Sequence, residues 1–157
     1  MGDGIEGRLA ALERRLALLE DERAVLASLY RYAHAIDYGD EATWVDCFTE
    51  DGAFDMRNRP DFQKPGRRHE GRAALAAFIK THTRAPAVYH KHVVVEPQIT
   101  VDGDVARVRS YLFRLDESNG APYVLVFGRY LDTMVRGADG WWRFKERIVE
   151  IESLQFR

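Results

Sequence analysis

From Ile5 to about Glu22, Leu9, Leu12, Leu16 and Leu19 recur at spacings of three and four among Glu and Arg, the signature of an amphipathic helix. Such a helix serves oligomerisation, acts as a lid or covers a sheet edge. Asp21 is a candidate cap for a second helix with its body at Ala24–Ile36, and Tyr38-Gly39-Asp40 stops it. On a wheel of about 100° per residue, Leu26, Leu29, Ala33 and Ile36 share one arc of that helix, with Tyr32 at the far edge and Asp37 at the near edge. A short third helix follows over Glu41–Phe48. Thr49-Glu50-Asp51-Gly52 reads as a turn before a strand near Ala53–Met56. Arg57–Glu70, charged and aperiodic, reads as a loop on the rim of a pocket. Gly71-Arg72 opens a helix through Ile79 that ends before Pro86.

Everything afterwards is β in character. Strands are expected near Tyr89–Val101, Val105–Leu115, Tyr123–Val135 and Trp141–Ile151, joined by the turn sequences Asp102-Gly103-Asp104, Ser118-Asn119-Gly120 and Gly137–Gly140. Helices first and hairpin-linked strands second predict an α+β fold, a strongly curved antiparallel sheet wrapped around N-terminal helices. The division expected is an N-terminal helical extension over 1–20 and one α+β barrel domain over 21–157.

Composition narrows the function classes. A chain of 157 residues is long enough for one domain with a real core. A net charge of −2 and a pI near 6.2 give no global field for nucleic acid or an anionic membrane. No run approaches the roughly 18 apolar residues of a membrane span, and the N-terminus lacks the apolar core of a signal peptide. A cytoplasmic protein is expected. The single cysteine, Cys47, sits among Trp44, Val45 and Phe48 and reads as a buried thiol rather than a disulfide partner or nucleophile.

Asp37 carries the chemical argument. A carboxylate turned half toward the core needs a partner, because desolvating an unpaired charge costs several kcal/mol. Among the five histidines, His90 and His92 stand in His90-Lys91-His92-Val93-Val94-Val95-Glu96, where strand alternation puts 90, 92, 94 and 96 on one face. An inward histidine beside Asp37 makes an acid/base dyad: the carboxylate orients the ring, and the free nitrogen exchanges a proton with substrate. The alternatives are histidines that satisfy a sheet end, and a divalent-metal site from His90, His92 and Glu96, whose spacing is similar to the first metal motif of cupins. Against the metal stand Arg84 where the cupin motif opens with glycine, the lack of any histidine after His92, and leading helices foreign to a jelly roll.

Taken together, several elements resemble SnoaL-like proteins of the nuclear-transport-factor-2-like superfamily. These are Tyr32-x4-Asp37-x-Gly39-Asp40, Trp44-x3-Phe48-x-Glu50-Asp51-Gly52, Glu70-Gly71-Arg72 before a helix, His92 before Glu96-Pro97, Val101–Asp104, and Gly128-Arg129-Tyr130-x-Asp132 followed by Asp139-Gly140-x-Trp142-x4-Arg147. The resemblance spans about Asp21–Glu152 and implies a cone of curved sheet and helices around a deep apolar pocket. Within it the pattern is most similar to scytalone dehydratase, hexachlorocyclohexane dehydrochlorinase and bile-acid 7α-dehydratase, which implies elimination by a His–Asp dyad with no metal or organic cofactor. Carried onto this chain, the helix aspartate is Asp37, the strand histidine His92 and the helix tyrosine Tyr32. Relatives often hold Asn where this chain has Glu96; its carboxylate raises the His92 pKa, acts as a second acid/base, or, as expected here, turns outward past Pro97.

The implied function is a cofactor-independent lyase of the dehydratase type acting on a small apolar, cyclic or polycyclic molecule. An isomerase or cyclase using the same dyad, or a ligand-binding module without turnover, are the alternatives. The expected pocket lining is Trp44, Phe48, Phe54, Phe78, Tyr111, Phe127, Tyr130 and Arg147, the last on a strand whose alternation is broken by Trp141-Trp142. No nucleic-acid or membrane partner is expected. The apolar outer positions Val93 and Val95 call for a cover, and the resemblance implies a homo-oligomer, a trimer in preference to a dimer.

Overall fold

The computed structural model describes residues 4–62 and 65–155; residues 1–3 of the expected extension, 63 and 64 of the expected loop, and 156–157 lie outside them. Three helices, α1 (Ile5–Tyr38), α2 (Glu41–Asp46) and α3 (Gly71–Thr81), accompany six strands: β1 (Phe48–Asn58), β2 (Arg67–Glu70), β3 (His90–Asp102), β4 (Val105–Ser118), β5 (Ala121–Arg136) and β6 (Trp142–Leu154). They form one curved, unclosed sheet in the order β2-β1-β6-β5-β4-β3, so the fold is α+β.

The two N-terminal helices expected from sequence are one. Glu20-Asp21-Glu22 contains neither Gly nor Pro, so nothing breaks the hydrogen-bond ladder there, and Asp21 spends its carboxylate on Arg136 (2.6 Å) rather than on a cap. The break comes at Gly39, whose φ of 75° ends α1 in the left-handed region that glycine adopts without strain. Asp40 then caps α2, its carboxylate accepting from the Thr43 backbone N–H at 3.1 Å.

The stretch Thr49–Gly52 is not a turn before β1 but a bulge within it: Phe48 pairs with Phe144, and the ladder resumes at Ala53 opposite Glu146. Part of the expected loop is a strand as well, since Arg67–Glu70 closes antiparallel on Ala53–Met56. The β3–β4–β5–β6 meander is antiparallel as expected, whereas β1 joins β6 in parallel, because α3 and the meander intervene between them.

Two further bulges decide which side chains face inward. In β3, Glu96 adopts φ 50° and Pro97 donates nothing to the ladder, so pairing slips between Val95 and Gln98. In β6, Phe144 pairs with Met134 but Glu146 with Thr133, leaving Lys145 as the extra residue. Trp142, Phe144, Arg147 and Val149 therefore share the buried face, despite their mixed parity.

The core lies between the concave sheet face and the C-terminal half of α1 with α2 and α3. Val25, Leu29, Tyr32 and Ile36 from α1 meet Trp44, Phe48, Phe54, Leu75, Ile79 and Phe144 there. Tyr32 is the hub, with ring centroids of Trp44, Phe48, Phe54, Tyr130 and Phe144 at 5.6–6.5 Å. Burying a side chain such as Phe48 completely contributes about 1.5–3 kcal/mol, and so many around one tyrosine fix its ring.

Candidate active site

Asp37 sits in the last turn of α1, at the negative end of the helix dipole, where a buried carboxylate needs donors. His92, two residues into β3, supplies two: its ring Nδ1 lies 2.7 Å from Asp37 Oδ1, and its backbone N–H lies 3.2 Å from both carboxylate oxygens. The carboxylate is 5% exposed and the imidazole 10%. With an acceptor-only partner, Nδ1 carries the proton, and Nε2 is left as the nitrogen that can take one up. Burial lowers the His92 pKa, and the Asp37 hydrogen bond opposes that only in part. The ring is neutral at pH 7, the state a general base requires.

His92 opens onto a cavity of about 200 Å³ whose lining is almost wholly apolar: Tyr32, Ile36, Phe54, Met56, Phe78, Leu112, Val126, Tyr130, Val149 and Ile151, with only His82, His92 and Arg114 bringing charge or a titratable nitrogen. His82, at the C-terminal cap of α3, has Nδ1 2.7 Å from the Thr83 carbonyl oxygen, and burial holds its pKa down to about 4. Arg114 is held by Asp116 in a two-pronged contact of 2.7 and 2.9 Å. Tyr32 is fully buried and its hydroxyl pushed well above the usual phenol range by desolvation, so it remains a donor throughout neutral pH.

Of the residues proposed from sequence, His92, Tyr32, Phe54, Phe78 and Tyr130 line this cavity, while Asp37 lies outside the lining and holds the His92 ring. Trp44 and Phe48 do not: both are fully buried and pack behind Tyr32 as core. Arg147 is not in the lining either. It is fully buried with Asp132, Nε to Oδ1 3.1 Å, and its guanidinium carbon stands 3.7–4.3 Å from the ring centroids of Tyr130, Tyr32 and Phe144. Its action is on the two tyrosines, which it holds from beneath. Tyr111 and Phe127 are corrected outright: strand alternation puts them on the convex face, 55% and 44% exposed.

The metal set from sequence does not form, because the bulge turns Glu96 to the outer face, where it lies beside Gln98, Arg109 and Tyr111. Asp37, His90 and His92 do bring one ligand atom each within 4.8 Å of one another, a possible grip for a divalent cation. The 2.7 Å contact has the length of a charge-assisted hydrogen bond. His90 Nε2 is 3.6 Å from Asp37 Oδ1, too long for such a bond, and neither ring nitrogen of this buried histidine has a hydrogen-bond partner among the described residues. Sequence reasoning missed His82 and Arg114. Arg114 follows from Leu112 by simple alternation on β4; His82 carries no periodic signal, since it lies beyond the end of α3.

A model of the SnoaL-like domain matches residues 17–148. The chain belongs to the SnoaL-like family. That family includes cofactor-free enzymes such as polyketide cyclases. Among solved structures, this SnoaL-like chain is similar to a protein of unknown function from Mycobacterium tuberculosis, with 31% identity, 87% of this chain and 79% of that one covered, and a TM-score of 0.73. It is also similar to a nuclear-transport-factor-2-like protein with a cystatin-like fold from Novosphingobium aromaticivorans (27% identity, coverage 92% and 90%, TM-score 0.78). A third is a Catenulispora acidiphila structure in complex with S-DNPA (26% identity, coverage 85% and 95%, TM-score 0.69). No curated protein shows significant similarity. None of the helices among the described residues is long and apolar enough to cross a membrane.

Proposed function

We propose that this protein is a cofactor-independent lyase that removes water from a small cyclic or polycyclic hydroxy-ketone, with His92 as general base. The observation that carries the reading is the 2.7 Å contact between Asp37 Oδ1 and His92 Nδ1 at the wall of an apolar cavity. His92 Nε2 takes the proton from the carbon beside the carbonyl, and the C–H electron pair moves into an enolate whose oxygen accepts from the Tyr32 hydroxyl. The enolate collapses to the alkene as the β-hydroxyl leaves, taking the proton back from the His92 imidazolium to depart as water. Asp37 stabilises that imidazolium while it exists. General acid–base catalysis of this kind contributes about 10²–10⁴-fold. The apolar lining strengthens the Asp37–His92 attraction and selects for an apolar substrate. The likeness to a structure in complex with S-DNPA is in keeping with a ligand-binding cavity.

Isomerisation and cyclisation begin with the same proton transfer and differ only in the fate of the enolate. The protein is also proposed to be a homo-oligomer: Tyr111, Phe113, Val124 and Phe127 form an exposed apolar patch on the convex face, with Phe113 paired directly against Phe127.

The test is a panel of β-hydroxy cyclic ketones incubated with the protein, with loss of water read by mass spectrometry. Turnover that falls by about 10²–10⁴-fold in His92→Asn, with ligand affinity retained, supports the lyase. Ligands that bind wild type and His92→Asn alike and are never turned over would establish a binding module instead. Turnover abolished by a chelator and restored by zinc would replace the dyad with a metal at Asp37, His90 and His92.

A further inference from the structure

Helix α1 carries two apolar stripes, one in each half, that cannot both face the domain. Val25, Leu29, Tyr32 and Ile36 form the buried stripe, whereas Ile5, Leu9, Leu12, Leu16 and Leu19 are 54–86% exposed. At about 100° per residue the two stripes point roughly 150° apart on the same continuous helix. The body of the protein covers the first and by geometry turns the second away from itself. The arm leaves the body at the Asp21–Arg136 ion pair and projects for about 27 Å, at 1.5 Å per residue over residues 5–22.

The exposed stripe is a strict heptad. Leu9 and Leu16 take the a positions and Ile5, Leu12 and Leu19 the d positions, and Arg23 ends the seam at the next a position. The flanking e positions are Glu6, Glu13 and Glu20; the g positions are Arg8, Arg15 and Glu22. In a parallel pair, each g residue faces the e residue five positions onward in the other strand. Arg8 then meets Glu13 and Arg15 meets Glu20, on both sides of the seam. In an antiparallel pair, e faces e and g faces g, which opposes Glu to Glu and Arg to Arg. The charges thus select both the occupant and its direction.

We propose that residues 5–22 dock on the same segment of a second copy as a parallel two-stranded coiled coil, joining two domains side by side. An arm this short is marginal on its own, so association is concentration-dependent. The proposal rests on α1 alone and is independent of the reaction assigned to the cavity.

The full chain, the variant Glu13→Arg/Glu20→Arg, the variant Arg8→Glu/Arg15→Glu, and their equimolar mixture are compared by sedimentation equilibrium. Circular dichroism confirms that each is folded, since none of the four side chains touches the body. The expected result is a dimer for the natural chain, each variant weakened about ten- to hundred-fold, and full recovery in the mixture. A second reading comes from Leu12→Cys, which joins two chains by a disulfide on mild oxidation in the parallel register. A natural chain that stays monomeric, variants that associate as tightly as it does, a mixture that recovers nothing, or a trimer would each overturn the two-stranded parallel arm. Variants unchanged alone but tighter when mixed would show the antiparallel pair, and would overturn it equally.

Discussion

Replacing Asp37 by Asn separates what the carboxylate does for the fold from what it does for the reaction. In the native site both carboxylate oxygens accept from the His92 backbone N–H at 3.2 Å, and Oδ1 also accepts from the ring Nδ1 at 2.7 Å. An amide of the same shape has one oxygen for these two donors, and its NH₂ must face one of them. If the amide oxygen keeps the backbone N–H, the NH₂ donates to Nδ1, and the imidazole proton moves to Nε2, the nitrogen that should be the base. One charge-assisted hydrogen bond is then exchanged for a neutral one and its partner is misplaced. With hydrogen bonds to charged groups contributing about 1.5–3 kcal/mol, the expected stability loss is about 1.5–3 kcal/mol. The kinetic loss is of another order, because the ring now presents a donor to the substrate carbon: about 10²–10⁴-fold in kcat. Urea unfolding read by the buried Trp44 and Trp142 gives the first number, and turnover on a β-hydroxy cyclic ketone gives the second. If Asp37→Asn keeps kcat within threefold of wild type while losing the expected stability, Asp37 is a structural cap on β3 and the orienting role is wrong.

Other consequences follow from burial. His82 and His90 are each held down to about 4 by desolvation; the unfolded chain binds their protons first, so stability is present above pH 6.5 and lost as pH falls from there toward 4. The loss is on the order of 3 kcal/mol for either ring alone and less than additive for two rings 5.2 Å apart; denaturation midpoints at pH 7.5 and 4.5 measure it, and His82→Asn should flatten the curve. Arg147→Met strips the cation from Asp132, which burial already lifts to about 6 against the pull of the guanidinium. Its carboxyl then binds a proton more tightly in the folded state, and the stability gap to wild type should open above about pH 6 by roughly 1.4 kcal/mol per pH unit. A gap that is the same at pH 5 and pH 8 would contradict this. Cys47, 2% exposed with its thiol pushed up to about 11 by burial, should resist thiol reagents in the folded protein and react at once in denaturant.

What was legible in the sequence was whatever obeys a period. The four long strands, α3, and the end of α1 at Gly39 all follow from alternation, helical spacing or turn residues. What was not legible was set by bulges and by tertiary contacts. Lys145 slips the ladder of β6, and that single extra residue turns Arg147 inward. Glu96 and Pro97 do the same in β3 and turn Glu96 outward, which dissolves the candidate metal set. Asp21 resembles a cap until Arg136, far along the chain, gives it another use. Tyr111 and Phe127, expected among the inward strand residues, lie outside because the alternation of their own strands puts them there. In the site, Asp37 was readable as the polar residue at the edge of an apolar helix arc, and His92 as one of two histidines on one strand face, singled out by the family resemblance. His82 lies past the end of a helix, where no pattern marks it.

The most direct test of the central claim is the ¹⁵N NMR spectrum of the His92 imidazole in the natural protein near pH 7. A neutral ring protonated at Nδ1, with its proton shared with Asp37 and Nε2 bare, is the predicted state, and Asp37→Asn should move the proton to Nε2. An Nε2–H tautomer, or an imidazolium that persists above pH 7, would leave His92 unable to act as the base and would contradict the account.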